Sequence, residues 1–313
     1  MKLFVILFLQ SFFIYLTIGT PVTGDSSCDV YGTLIYEDFG CTPEHDNASK
    51  CPSRFSCKGL EPSKDQCYFR GRAYQNREEV NTSLLLPSCE SSCFCQTNEN
   101  RARFTCAITE CAEELGRPFK KGCYGKYTLD SCCSVGEVCR TIEHAHINDS
   151  PCIMLAPFDD DAKCVVDGEE YKEGQEFFPK NTCLQCVCQK GFNGKFEAPF
   201  CRRRWCGVQL RSSGVHSQNS CAPFYSLDSN TQQDQVLCCP NGWLCPDGSE
   251  VITGEEKSEH SCKFGDKIVK VGQSFERNNF TDSYGRHAEK VKCECVIPPL
   301  VKCTGALVTD TTR

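Results

Sequence analysis

The side chains with the most chemistry to offer are cysteines, and the chain has 29 of them. A thiol can attack a carbon centre, bind a soft metal or oxidise to a bridge. The order decides among these. One segment runs Cys67, Cys89, Cys93, Cys95, Cys106, Cys111, Cys123, Cys132, Cys133, Cys139. A second runs Cys164, Cys183, Cys186, Cys188, Cys201, Cys206, Cys221, Cys238, Cys239, Cys245. Both read C, then C-x2/3-C-x-C, then C-x4-C, then C, then CC-x5-C. Cys183-x2-Cys186-x-Cys188 alone has a zinc-like spacing in a reducing compartment, so the compartment must be read next.

Met1-Lys2 precedes an apolar run over 3–18, followed by small residues through Gly24. This describes a secretory signal peptide over 1–24, and cleavage after Gly19 or after Gly24 fits equally well. An uncleaved anchor is the alternative, and the small-residue boundary favours cleavage. No later run is apolar enough to span a bilayer, and the tail 304–313 carries no anchor signal. We therefore expect a secreted, extracellular chain whose cysteines pair as disulfides, with neither metal nor other cofactor. Such cysteine density points to small, loop-rich modules in which bridges replace large apolar cores. A bridge closing a loop of roughly 15–20 residues contributes ~3 kcal/mol by restricting the unfolded chain.

Other reactive patterns are sparse. Neither G-x-S-x-G nor H-E-x-x-H occurs, and the six histidines are scattered, with His144 and His146 in a connector. No catalytic constellation emerges, so we expect no enzyme. The formal net charge of −7 disfavours nucleic acid. Arg202-Arg203-Arg204-Trp205 has two readings: a sulfated-glycan site, since clustered arginine suits sulfate, or a strand with alternating sides. Tyr74, Tyr171, Phe177 and Phe178 suit either a ligand surface or packing over small sheets, and Trp243 suits local packing. Asn47, Asn81 and Asn279 head glycosylation sequons; Asn148 heads a poorer one, because Pro151 follows it.

The two ten-cysteine segments are a tandem repeat. Four residues after the first cysteine stands Gly71 or Gly168, and seven after it Tyr74 or Tyr171. The flanking pieces are halves of the same unit. Cys28, Cys41, Cys51 and Cys57 match its back half, and Cys262, Cys293, Cys295 and Cys303 its front half. Each half lacks one cysteine. Lys50 stands where cysteine eight belongs, and the place of cysteine two falls near Lys290. The economical explanation is that cysteines two and eight bond each other across the halves, so that a lone half drops the one with no partner.

The pattern resembles the von Willebrand factor type C domain, or chordin-like cysteine-rich repeat. The likeness rests on Cys183-Leu184-Gln185-Cys186-Val187-Cys188, Cys238-Cys239-Pro240 and Cys245 with their counterparts, and spans 28–303 apart from the connectors. It implies the bonding order one–four, two–eight, three–five, six–nine and seven–ten. The first unit would then pair Cys67–Cys95, Cys89–Cys132, Cys93–Cys106, Cys111–Cys133 and Cys123–Cys139. The second would pair Cys164–Cys188, Cys183–Cys238, Cys186–Cys201, Cys206–Cys239 and Cys221–Cys245. The halves would carry Cys28–Cys51, Cys41–Cys57, Cys262–Cys295 and Cys293–Cys303. Cys152 is left over, which suggests an intermolecular bridge joining a homodimer, a thiol that is free or capped, or rearranged pairing nearby.

The expected fold is small, disulfide-rich and mainly β: elongated tandem modules with short antiparallel sheets and loop-rich bridged subdomains. The modules are a half repeat at 28–57, full repeats at 67–139 and 164–245, and a half repeat at 262–303. Connectors at 58–66, 140–163 and 246–261 read as exposed. Strands are expected at 165–178, 184–189 and 200–205, with back halves mostly turns. By resemblance, the chain would be a multi-repeat binding protein for growth factors of the bone morphogenetic protein and transforming growth factor-β class, modulating their signalling. Two alternatives stand beside it: a structural matrix or cuticle-associated protein, and a protease inhibitor or host-defence effector. The two–eight inference predicts that proteolytic peptide mapping of the oxidised protein yields Cys183 linked to Cys238; a fragment pairing either one elsewhere would refute it.

Overall fold

The computed structural model describes residues 26–46, 49–85, 88–116, 119–120, 122–139, 142–147, 150–155, 163–211, 213–227, 235–282 and 285–308. The leader region 1–24, Asn47 and Asn148 lie outside them. The fold is mainly β, built from short and predominantly antiparallel sheets. Fourteen bridges join the cysteines in the pairs given above.

Each front subdomain opens with a hairpin carrying its first cysteine: Gln66–Phe69 with Arg72–Gln75, Lys163–Val166 with Glu169–Lys172, and Ser261–Phe264 with Lys267–Lys270. The stretch 165–178, expected as one strand, breaks at Asp167-Gly168. Both residues have positive φ, 52° and 86°, the geometry of a two-residue hairpin turn. A second sheet sets cysteines three and five directly opposite one another. Cys93 faces Cys106, Cys186 faces Cys201 and Cys293 faces Cys303, with Cα separations of 4.1, 4.1 and 4.0 Å. The sheet of Cys93 and Cys106 has only two strands, a number marginal in water, and its bridge staples it.

The back subdomains are less loop-like than expected. Each holds an antiparallel pair: Thr42–Glu44 with Arg54–Ser56, Cys123–Lys126 with Gly136–Cys139, and Ala222–Leu227 with Gly242–Leu244. Cysteines seven and ten sit at or just beyond the ends of these strands, so their bridge closes the ladder. The two–eight bridges Cys89–Cys132 and Cys183–Cys238 tie front to back in each full unit. Within the connector 140–163, expected as an exposed tether, Ile142–Ile147 pairs antiparallel to Ser150–Leu155. Cys152 stands in register with Ala145, His144 with Ile153 and His146 with Pro151.

The largest departure from expectation concerns shape. The connectors suggested an elongated array, but contacts between modules lead from one end of the chain around to the other. The N-terminal half meets the first full unit at Gly40, in a left-handed conformation (φ 69°), where a Cβ would lie 2.3 Å from the Arg70 carbonyl carbon. Only glycine permits that approach. The back of the first unit meets the front of the second through Tyr127 N–H donating to Gly174 O (2.8 Å) and Tyr124 O–H donating to Glu173 O (3.1 Å). The second unit joins the C-terminal half in one five-stranded sheet, through parallel pairing of Ala222–Leu227 with Lys302–Ala306. The C-terminal half then meets the N-terminal half. Tyr36 Oη donates to Ile297 O (2.9 Å) and accepts from Leu300 N–H (3.1 Å), while Phe55 N–H donates to Pro298 O (2.9 Å).

Small modules explain this closure, because none of them has many apolar side chains to pack alone. Phe224 and Leu244 of the second unit share a core with Phe264, Phe275 and Val291 of the C-terminal half. Leu210 and Trp205 of the second unit complete the core of the first around Phe69 and Leu85. Val208 packs with Ile35 and Phe39 of the N-terminal half and Leu300 of the C-terminal one. Replacing Tyr36 by Phe strips a buried N–H of its acceptor, at a cost of about 1–3 kcal/mol. Urea unfolding of Tyr36→Phe should show a lowered midpoint, whereas a midpoint equal to the parent's would mean the closure adds nothing to stability.

Candidate binding surface

Arg202 and Arg203 lie on the strand Cys201–Arg203, which pairs with Leu184–Val187, and Arg204 just past its end. In a strand successive side chains leave on opposite sides, so the three guanidiniums do not form one cationic face. Arg203 is directed into the molecule. Its Nη1 donates to Asp29 Oδ2 (2.7 Å) and its Nη2 to Asp29 Oδ1 and Glu37 Oε1, both 2.8 Å. Its side chain is 20% exposed and that of Asp29 0%. Burial works against the charge on Arg203, but the bonds to the two carboxylates outweigh it and push its pKa up. Burial likewise pushes the Glu37 carboxyl up, with Arg203 opposing. Arg202 donates to Gln185. Arg204 is exposed, its guanidinium 5.3 Å above the Phe178 ring. Trp205 turns inward, edge-on to Phe69 at 6.0 Å. As a sulfate-binding cluster the run therefore loses its central member, which two carboxylates already hold.

Beside it, Asp38 is buried and accepts N–H bonds from Cys206 (3.1 Å) and Gly207 (2.9 Å). Burial raises its carboxyl to about 7, against the opposing pull of Arg70 and those two N–H groups. Gln209 Oε1 accepts the Arg70 N–H (2.9 Å), and Arg211 pairs with Glu90 (2.8 Å). The segment 203–211 thus anchors both the N-terminal half and the first unit. Asp29, Glu37 and Asp38 carried no signal in the sequence beyond an acidic pair near Gly40; the partner of Glu37 is 166 residues away.

The four aromatic candidates separate by burial. Tyr74 is fully buried, edge-on to Phe104 at 5.5 Å. Tyr171 packs on buried Phe177, ring centres 4.9 Å apart. Phe178 is 51% exposed. Trp243 stacks with His216 and packs against the core of the N-terminal half. The histidine–cysteine groupings offer no thiolate for a metal, because Cys221, Cys245, Cys89, Cys111 and Cys132 are all in disulfides. Among the sequons, Asn81 and Asn279 are exposed.

The three front hairpins are not equally covered. At Gly71 a Cβ would lie 2.9 Å from Gly40 O, and at Gly265 2.5 Å from Pro246; at Gly168 it would meet nothing within 4 Å among the described residues. The residue after the first cysteine follows the same division. Tyr68 packs under Gly59, and Lys263 pairs with Glu61 and donates its N–H to Pro299 O. Val165 is 67% exposed. The connectors ahead of the first unit and the C-terminal half cap the hairpin that follows, whereas 142–147 and 150–155 pair with each other. The front subdomain of the second unit therefore presents Val165, Phe178 and Arg204 to solvent. No protein-family model, curated protein or solved structure matches the chain.

Removing one partner of a buried ion pair strands the other, a loss of about 3–5 kcal/mol. Arg203→Met should destabilise the fold by that order, and Arg204→Ala by under about 1 kcal/mol. Equal effects in thermal denaturation would contradict the division of roles drawn here.

Proposed function

We propose that this chain is a secreted, non-enzymatic binding protein whose contact surface is the front subdomain of the second full unit. The observation that carries this reading is the uncovered hairpin there, with Val165, Phe178 and Arg204 at the surface. An aromatic ring paired with an arginine is the side-chain chemistry that dominates protein interfaces. Secretion is supported by fourteen bridges, which suit an oxidising compartment. Among the described residues, no helix is long and apolar enough to cross a membrane.

The ligand class follows from resemblance. Chordin-like repeats commonly bind growth factors of the bone morphogenetic protein and transforming growth factor-β class, often through the front subdomain. On this reading the chain acts as a stoichiometric trap that keeps such a ligand from its receptors. Bridges on both sides of the surface lower the ordering cost of binding. Coverage of the first unit's hairpin directs the contact to the second. A matrix role draws on one specific feature: the fourteen bridges use 28 of the 29 cysteines, and the odd one, Cys152, suits an intermolecular cross-link.

Binding of the full secreted chain to a panel of these growth factors tests the ligand class, and no binding at micromolar concentration overturns it. Phe178→Ala with Val165→Asp should weaken binding at least tenfold while leaving the unfolding transition in place. Undiminished binding by that variant would remove the surface from the account. On non-reducing gels a soluble monomer or dimer opposes the network reading, whereas a ladder of higher species favours it.

A further inference from the structure

Between the two subdomains of the first full unit runs a groove of 320 Å³ that no contact described above fills. Its walls include Thr82, Leu85, Ser88, Glu90, Thr109 and Ser131, beside Cys132 of the Cys89–Cys132 bridge. Three of its features suit a sugar. The Thr82 and Thr109 hydroxyls can both donate and accept, as sugar hydroxyls require, whereas Ser88 and Ser131 are engaged with Leu85 O and Thr128 O. Partly exposed Cys132 of the bridge, backed by buried Leu85, offers an apolar surface to a ring face. Glu90, whose carboxylate is 1% exposed, gives one oxygen to Arg211 and leaves Oε2 buried with no hydrogen-bond partner. An acceptor in that state costs stability until a donor reaches it.

A sugar is also supplied at the rim. Asn81, the residue before groove-lining Thr82, is exposed and heads a sequon. Its Oδ1 accepts from Ser83 N–H (2.9 Å) and Ser83 Oγ–H (2.8 Å). Attachment of a lipid-pyrophosphate-activated oligosaccharide exchanges one Nδ2 hydrogen for the sugar's C1. The C1–oxygen bond to the pyrophosphate breaks, and the proton is lost. Oδ1 takes no part in that exchange, so both bonds from Ser83 can persist. A ligand tethered one residue from its site acts at an effective concentration far above that of a free sugar.

We infer that an N-linked glycan on Asn81 folds its first sugars into this groove, sealing the seam between the subdomains of the first unit. This rests on passage through the secretory pathway and is independent of any growth-factor ligand. The full chain, secreted from eukaryotic cells, is treated natively with an amidase that releases N-glycans and converts Asn81 to Asp. Thr109→Trp, a change at an exposed position that fills the groove, should speed release at Asn81 at least fivefold. Should that variant fail to fold, hydrogen exchange of the parent chain before and after release decides the matter. Amides of 88–91 and 131–133 should then exchange several-fold faster once the glycan is removed. An unoccupied Asn81 on the secreted chain, a release rate that Thr109→Trp leaves unchanged, or unchanged exchange after release would each overturn the inference.

Discussion

Arg203 is the point on which the arrangement of modules depends. A guanidinium taken out of water is costly, and its cost is offset only where hydrogen bonds to opposite charge are well formed. Asp29 and Glu37 supply them, both from the N-terminal half. That pairing sets the N-terminal half against the second unit. Asp38 then receives the N–H groups of Cys206 and Gly207, and Val208 reaches the apolar face of Ile35 and Phe39. Arg211, at the other end of the same segment, meets Glu90 of the first unit. Nine residues of one module thus organise two others.

Disulfides and apolar packing divide the work between scales. Within a module, bridges such as Cys93–Cys106 and Cys186–Cys201 staple facing strands of sheets of only two or three strands. None of the fourteen crosses from one module to another. Between modules the chain uses what bridges leave over: a few large side chains lent to a neighbour's core, main-chain bonds from tyrosine hydroxyls, and ion pairs. Local geometry is consequently covalent and the larger arrangement is not.

Much of the local structure was legible in the sequence, because cysteine order carries it directly. A missing cysteine eight at Lys50 and a missing cysteine two near Lys290 marked the halves as halves. The turn at Asp167-Gly168 was also open to reading, since glycine there permits the positive φ of a hairpin tip, yet 165–178 reads as a single strand. The closure was not legible. Tyr36 and Leu300 are 264 residues apart, and no periodicity or spacing relates them. The candidate surface was legible only as four aromatics and an arginine run, with Val165 unmarked. Which ring faces solvent depends on what covers each hairpin, and that is decided by connectors whose composition resembles any exposed linker.

The bond from Tyr36 to Ile297 spans 261 residues of chain, which has a meaning in time as well as in space. Synthesis proceeds at roughly 5–20 residues per second, so roughly 13–50 s separate the emergence of its two ends. During that interval Ile35, Tyr36 and Phe39 have no Leu300 to pack against. The earliest-made module is therefore the last to find its full set of neighbours, and it waits as a small cystine-braced piece with an uncovered apolar helix. Its own two bridges, Cys28–Cys51 and Cys41–Cys57, need nothing downstream to form, so oxidation can hold its shape through the wait.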